Sequence, residues 1–235
     1  MAYTPNIVIL TGAGISAESG IKTFRAADGL WENHRVEDVA SPQGFARDPA
    51  LVYRFYNARR EQLLSPEVAP NPAHEALARL QAQHKGRITV VTQNIDDLHE
   101  RGGSDNVIHM HGELLKARCL HCNAIYETRE AFDSETSCEK CDQSSGLRPH
   151  IVWFGEMPLY MDEISDALVS CDVFAAIGTS GHVYPAAGFV DMARHSGAKT
   201  IEFNIEETGS ASVFHDGVYG PAGETIPQWV ESLLA

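Results

Sequence analysis

Four short apolar runs, Asn6 to Leu10, Ile88 to Val91, Val173 to Ile177 and Thr200 to Phe203, are rich in Ile and Val and lack in–out alternation. Strands covered by helices on both faces carry this pattern, so the runs predict buried parallel strands. Apolar spacing of three and four predicts helices over Ala73 to His84, Met161 to Cys171, Ala186 to His195 and Pro227 to Leu234. The alternation of strand and helix predicts an α/β fold with a doubly wound parallel sheet and helices on both faces.

Each predicted strand runs into small or polar residues: Thr11-Gly12-Ala13-Gly14, Thr92-Gln93-Asn94-Ile95-Asp96, Gly178-Thr179-Ser180 and Asn204-Ile205-Glu206. Open α/β sheets bind ligands beyond the carboxyl ends of their strands, so four such ends together predict a ligand crevice. Two segments break the alternation. Gly29 to Asn71 shows no strand pattern and reads as a mainly helical insert, while Cys119 to Gly146 is polar and turn-rich. The expected organisation is a discontinuous Rossmann-like domain (1–28, 72–115 and 149–235), a helical insert (29–71) and a zinc-ribbon module (116–148).

The ribbon rests on cysteine spacing. Cys119-x-x-Cys122, fifteen intervening residues, then Cys138-x-x-Cys141 is a zinc signature, and the fifth cysteine, Cys171, reads as a buried inert thiol. Four thiolates close a tetrahedral shell and leave no position for substrate, so the expected zinc is structural.

Gly12-x-Gly14-x-x-Ala17 follows the first strand and is expected to open a helix, where a backbone without Cβ atoms lets a pyrophosphate meet amide N–H groups. Ser16 and Ser19 add hydroxyls, and Arg25 follows within reach of a charged ligand group. A hydride-transfer enzyme would carry an acid at the end of a second strand, roughly 20 residues on, to hold the ribose. Here Asp28-Gly29-Leu30-Trp31 follows with no second strand, so Asn204 and Glu206 are the expected ribose contacts.

Gly12-Ala13-Gly14-Ile15-Ser16 with Ser19-Gly20-Ile21 and Phe24-Arg25, then Gln93-Asn94-Ile95-Asp96, His109-Met110-His111-Gly112 and Gly178-Thr179-Ser180, resemble in order the signatures of the sirtuin family, and most of all its bacterial CobB-type branch. The cysteine pairs lie where sirtuins carry zinc. Lys22-Thr23 departs from the Pro-Asp pair of many members. The resemblance implies an enzyme that consumes NAD to remove acetyl, and succinyl or malonyl, groups from lysine, releasing nicotinamide and O-acyl-ADP-ribose. It implies cofactor contacts at Gly12, Ala13, Gly14, Ser16, Phe24, Arg25, Gln93, Asn94, Ile95, Asp96, Gly178, Thr179, Ser180, Asn204, Ile205, Glu206 and Ala222.

The reaction needs a base, and a histidine, with an unperturbed pKa of roughly 6.5, suits it. His109 and His111 would share one face of an extended segment; the resemblance selects His111, with Asn94 orienting the ribose or a water and Asp96 holding the nicotinamide carboxamide. An Asn or Asp after a strand also serves as a helix N-cap.

Leu51 to Leu64 reads as a helix with the stripe Val52, Tyr56, Arg59, Leu63, which turns Arg59 inward, where a guanidinium needs a partner. Tyr56 and Arg59 resemble the Tyr-x-x-Arg pair of sirtuins that remove acidic acyl groups; the competing reading is an Arg that reaches solvent or pairs with Glu61 or Glu67. Val152-Trp153-Phe154-Gly155-Glu156 is implied to pair by strand addition with an acylated-lysine peptide, and inter-lobe packing is the other reading of Trp153.

Composition narrows the partners. With 18 Lys+Arg against 32 Asp+Glu the net charge is −14, which repels phosphate backbones and anionic membranes and favours lysine-rich proteins. A zinc-ribbon nucleic-acid module would leave the strand-end clusters without purpose; a mono-ADP-ribosyltransferase would differ only in the acceptor. The N-terminus has no leader pattern, no apolar run approaches a membrane span, and paired C-x-x-C cysteines suit a reducing compartment, so the expected location is the cytoplasm.

Overall fold

The computed structural model describes residues 4–22 and 30–235. In chain order the strands are β1 (Ile7–Thr11), β2 (Leu30–Trp31), β3 (His34–Arg35), β4 (Ile88–Thr92), β5 (Val107–His109), β6 (Gly112–Cys119), β7 (Ile125–Glu127), β8 (Leu147–Ile151), β9 (Val173–Ile177), β10 (Lys199–Asn204) and β11 (Asp216–Tyr219). The α-helices are α1 (Val36–Val39), α2 (Pro42–Arg47), α3 (Pro49–Leu63), α4 (Pro72–Gln83), α5 (Leu98–Arg101), α6 (Met161–Ser170), α7 (Phe189–His195) and α8 (Ala222–Leu234).

Six strands form one parallel sheet in the order β11-β10-β9-β1-β4-β5. The order reverses between β1 and β9, the topological switch point at which such sheets open a crevice. The lack of alternation in β1 has its cause here. Val8 and Leu10 pack with α6 and α7, Ile7 and Ile9 with α4 and α8, and all four are buried. Fully burying one such aliphatic side chain contributes about 1.5–3 kcal/mol, and the central strands do so on both faces.

β5 and β11 were not legible as strands. β11 is an exposed edge with the polar sequence Asp-Gly-Val-Tyr, and β5 is only three residues long. Pro227, expected at a helix start, lies inside α8, which begins five residues earlier at Ala222.

The second lobe joins the helical insert to an antiparallel sheet of order β7-β6-β8. The insert is mainly helical, with one two-residue hairpin, β2–β3. Asp48 caps α3 by accepting the Leu51 N–H at 2.9 Å, with Pro49 opening the first turn. The boundaries expected at 115/116 and 148/149 fall inside β6 and β8. The ribbon's core is small (Ala117, Cys119, Phe132, Cys138, Leu147) and borrows Tyr53 from α3.

Candidate active site

At the switch point two loops interlock. After β1 the chain enters a helix, as the glycine pattern predicts, of the tighter 3₁₀ form over Ala13–Ser19. Gly12 N–H donates to Ile177 O at 2.9 Å and Gly14 N–H to Gly178 O at 2.8 Å. A Cβ on Gly14 would lie 2.6 Å from Gly178 Cα, and one on Gly12 would lie 2.8 Å from Gly178 O. Gly178 itself holds φ +61°, a conformation glycine adopts without strain. The glycines are therefore demanded by the approach of backbone to backbone as well as by room for a ligand. Asn71 braces the same loop: it caps α4 through Ala73 N–H (3.0 Å) and donates to Ile15 O (2.8 Å) and Ser19 Oγ (2.9 Å). Sequence reasoning missed this residue, although an Asn-Pro pair before a helical run was a signal for the cap.

These loops border a cleft of about 240 Å³ between the lobes. Gly12, Ala13, Gly14 and Ser16 line one side, Gln93, Asn94, Ile95 and Asp96 the floor, Thr179 and Ser180 the far loop, and His111 joins them. Ser16 Oγ donates to Asp96 Oδ2 and accepts from Asn94 Nδ2, each at 3.1 Å. Asp96 Oδ1 also accepts the Leu98 N–H at 3.2 Å, a turn contact two residues on; the N-cap of α5 is Asp97, so Asp96 lines the cleft without capping the helix. Burial pushes its carboxyl up to about 6, against the Leu98 and Ser16 hydrogen bonds that favour the anion. Gln93 Nε2 reaches Thr179 Oγ1 at 3.0 Å and so ties the floor to the far loop.

The two candidate histidines do not share a face, because β5 ends at His109 and a turn follows. His109 is buried, its Nδ1 at 3.4 Å from Asn94 O and its Nε2 at 2.8 Å from Glu100 Oε1. Burial pulls its imidazole down, but the Glu100 carboxylate outweighs this and raises its pKa. His111 instead lines the cleft, with Nδ1 3.0 Å from Gln93 O. A carbonyl only accepts, so Nδ1 carries the proton and Nε2 keeps its lone pair. Burial holds this imidazole below the usual histidine range, against the Gln93 hydrogen bond. Of the two, His111 is the one that lines the cleft, and His109 is the one paired with a carboxylate.

Other expected residues are distributed less simply. Phe24 and Arg25 lie outside the described residues. Asn204, Ile205 and Glu206 stand at the end of β10 and do not line the cleft; Asn204 Nδ2 supports the far loop through Thr179 O at 2.9 Å. Ala222 opens α8, where Glu18, a residue sequence reasoning passed over, accepts the Gly223 N–H at 2.9 Å.

Arg59 lines the cleft beside Gln62 and Leu63, its guanidinium 4.8 Å from the Phe55 ring centroid. Its Nε is buried without a hydrogen-bond partner, and no carboxylate pairs with it among the described residues. Tyr56 is corrected: it is fully buried behind the wall and does not line the cleft, and its hydroxyl accepts the Trp153 indole N–H at 2.9 Å. The fully inward arginine of α3 is Arg60, one residue on, bonded to Asn57 Oδ1 and Leu114 O and lying over Phe132.

Trp153 is likewise a packing residue, 2% exposed and sandwiched against Tyr56 and the Arg148 guanidinium. The N–H groups of Val152, Trp153 and Phe154 are engaged by His111 O, Glu156 Oε2 and Ala40 O. Those three donors are thus committed within the chain, while Phe154 presents its ring at the cleft, 49% exposed.

The four ribbon cysteines place their Sγ atoms within 4.8 Å of one another, and all are free thiols. Two cross-knuckle pairs, Cys119–Cys141 and Cys122–Cys138, stand at 3.8 Å. A tetrahedral ion with bonds of about 2.3 Å separates its sulfurs by about 3.8 Å, so the cluster fits zinc. Backbone N–H groups of His121 and Lys140 point at Cys119 and Cys138 Sγ, each at 3.4 Å.

Residues 12–185 match the Sir2 family. The chain belongs to the Sir2 family. It is 58% identical to an NAD-dependent protein deacylase of Salmonella typhimurium, over 100% of this chain and 86% of that one. A solved Sir2 homologue in complex with NAD superposes with a TM-score of 0.88 at 41% identity, over 98% of this chain and 90% of that one. A solved complex of Sir2, a p53 peptide and NAD+ gives 0.82 at 31% identity, over 97% and 93%. For this Sir2-family chain, no helix of the described residues is long and apolar enough to cross a membrane.

Proposed function

We propose that this chain is an NAD-dependent protein-lysine deacylase acting on acylated-lysine proteins in the cytoplasm. The observation that carries the reading is that the Gly12–Ser16 loop, the Gln93–Asp96 run and His111 face one cleft. NAD, when bound, supplies an electrophilic ribose carbon with nicotinamide as leaving group, and takes the acyl group away as O-acyl-ADP-ribose.

The chain's residues do the rest. The discontinuous Rossmann-like part (1–28, 72–115, 149–235) holds the dinucleotide, with Gly12, Gly14 and Ser16 against its phosphates and Asn204 and Glu206 toward a ribose. His111 Nε2 accepts a proton, since Gln93 fixes the proton on Nδ1 and burial keeps the ring neutral. Asn94, anchored through Nδ2 to Ser16, orients a ribose hydroxyl or a water with its amide oxygen. Asp96 holds the carboxamide of nicotinamide. Through Cys119, Cys122, Cys138 and Cys141 the ribbon (116–148) holds zinc, which shapes the lobe and takes no part in the chemistry.

The acyl group is proposed to lie against the wall formed from the helical insert (29–71). A guanidinium on that wall with no carboxylate partner among the described residues suits an acyl chain ending in a carboxylate, so succinyl and malonyl groups join acetyl as substrates. Mass spectrometry of acetylated and succinylated peptides, with and without NAD, tests the reading. Loss of the acyl mass only with NAD, together with free nicotinamide, is expected. A gain of ADP-ribose mass on the peptide would mean a transferase instead.

A further inference from the structure

We infer that His99 is a positioning residue for the reaction of this cleft: through Thr11 and Thr92 it holds Gln93 and Asn94 where they serve His111 and the nucleotide loop. This rests on the deacylase reading.

Thr11 and Thr92 end adjacent parallel strands in direct register, and their hydroxyls meet at 2.8 Å. His99 Nε2, from α5, stands 2.9 Å from Thr11 Oγ1, and all three residues are 0% exposed. The backbone N–H groups of the next two residues are both held by this pair. Thr11 O accepts the Gln93 N–H at 2.9 Å, and Thr92 Oγ1 accepts the Asn94 N–H at 3.1 Å. Thr92 O also accepts the Met110 N–H at 3.1 Å, which registers the segment carrying His111. From there Gln93 O meets His111 Nδ1, and Asn94 Nδ2 meets Ser16 Oγ.

Stability alone gives His99 no reason to be polar. Its Nδ1, and His74 Nε2 on the ring packed edge-on at 5.0 Å, are buried without partners among the described residues. A buried polar atom left without a hydrogen bond costs roughly 1–3 kcal/mol, which an aliphatic side chain would avoid. Burial, aided by His74 and His109, holds His99 well below the usual range, so it acts as a neutral hydrogen-bonding ring and not as a charge. Its one side-chain hydrogen bond, to Thr11, is what the cleft gains from it.

Thr92→Val and His99→Leu break this chain with little change of volume, and Thr92→Ser keeps the hydroxyl. With an acetyl-lysine peptide and NAD, Thr92→Val and His99→Leu should each lower kcat about tenfold, with peptide KM within about twofold, as expected for sub-ångström misplacement of reacting groups. Thr92→Ser should restore kcat, and the Thr92→Val/His99→Leu double variant should be little worse than either single one, because both cut the same chain. Thr11→Val, which severs it between the two, takes the place of either variant that does not fold. Unchanged kcat in the single variants, or losses that multiply, would overturn the inference. Amide hydrogen exchange reads the same positioning without turnover: Gln93 and Asn94 should lose protection selectively, while the β1 and β4 core amides keep theirs. Unaltered protection overturns the inference. Absence of NAD-dependent turnover in the wild type overturns the deacylase reading instead.

Discussion

Gly14 and Gly178 lock two loops together across the switch point, the N–H of the first donating to the carbonyl of the second at 2.8 Å. A single added methyl at Gly14 would stand 2.6 Å from Gly178 Cα, against backbone atoms with no flexible side chain to yield. Overpacking of this kind costs about 1–3 kcal/mol. Gly14→Ala should therefore lower the melting temperature and, by separating the loops, abolish NAD binding measured by calorimetry. Normal NAD affinity in this variant would show that the interlock does not shape the nucleotide site.

The histidines separate by environment. His111→Ala should reduce kcat by about 10²–10⁴-fold while NAD still binds, as loss of a general base does. His109→Ala removes the Glu100 pairing and should act mainly on stability. Steady-state kinetics and thermal unfolding of both variants check this, and loss of chemistry in His109→Ala alone would reverse the assignment.

Asp96 makes a pH-dependent statement. Its carboxyl is raised to about 6 in the fold, above the value of roughly 3.9 in an unfolded chain. The native state thus holds the proton more tightly, and the stability this confers is present below about pH 4 and lost as pH rises through about 6. Asp96→Asn removes the cost of a buried anion. The variant should be more stable than wild type above pH 6, by on the order of 3 kcal/mol, since the carboxyl is raised by about two pKa units at roughly 1.4 kcal/mol each. The gap should close toward pH 4, while nicotinamide-dependent steps are lost. Denaturant titrations at pH 4.5 and 7.5 measure it, and a gap that widens on acidification would contradict the buried-anion account.

Arg59→Met keeps length and removes charge. A hydrogen bond to a charged group contributes roughly 1.5–3 kcal/mol, so desuccinylation should fall about ten- to a hundredfold in kcat/KM, chiefly through KM. Deacetylation should survive. Because the Tyr56 hydroxyl is committed to Trp153, Tyr56→Phe should affect both substrates alike through packing. Equal losses on the two acyl groups in Arg59→Met would place Arg59 outside the acyl site.

Cys138→Ser should leave less than one zinc per chain by elemental analysis and lower the melting temperature, since metal affinity is folding free energy in such modules. Its ribbon core is too small, and too dependent on Tyr53, to hold the shape alone. Zinc-free wild-type protein with native stability would refute a structural metal.

The sequence alone determined whatever depends on period, spacing and chemical type. Unbroken Ile and Val runs pointed to strands buried on both faces, and two C-x-x-C pairs pointed to one cluster of four thiols. Glycines at the end of β1 demanded close approach. What it left open was whatever depends on which way a side chain turns. The helical stripe pointed to Arg59 as the inward arginine, but a stripe admits i+4 as well as i+3 neighbours, and the packing of α3 buried Arg60 against Leu114 and Phe132 while Arg59 lined the cleft. His109 and His111 sit two apart in the chain and share a face only while the backbone stays extended; the turn after β5 parted them. Trp153 and Tyr56, 97 residues apart, found each other only in three dimensions, and that contact took from Tyr56 the role its spacing suggested. Local pattern is written along the chain, but the partner that satisfies a buried polar group is supplied by the rest of the fold.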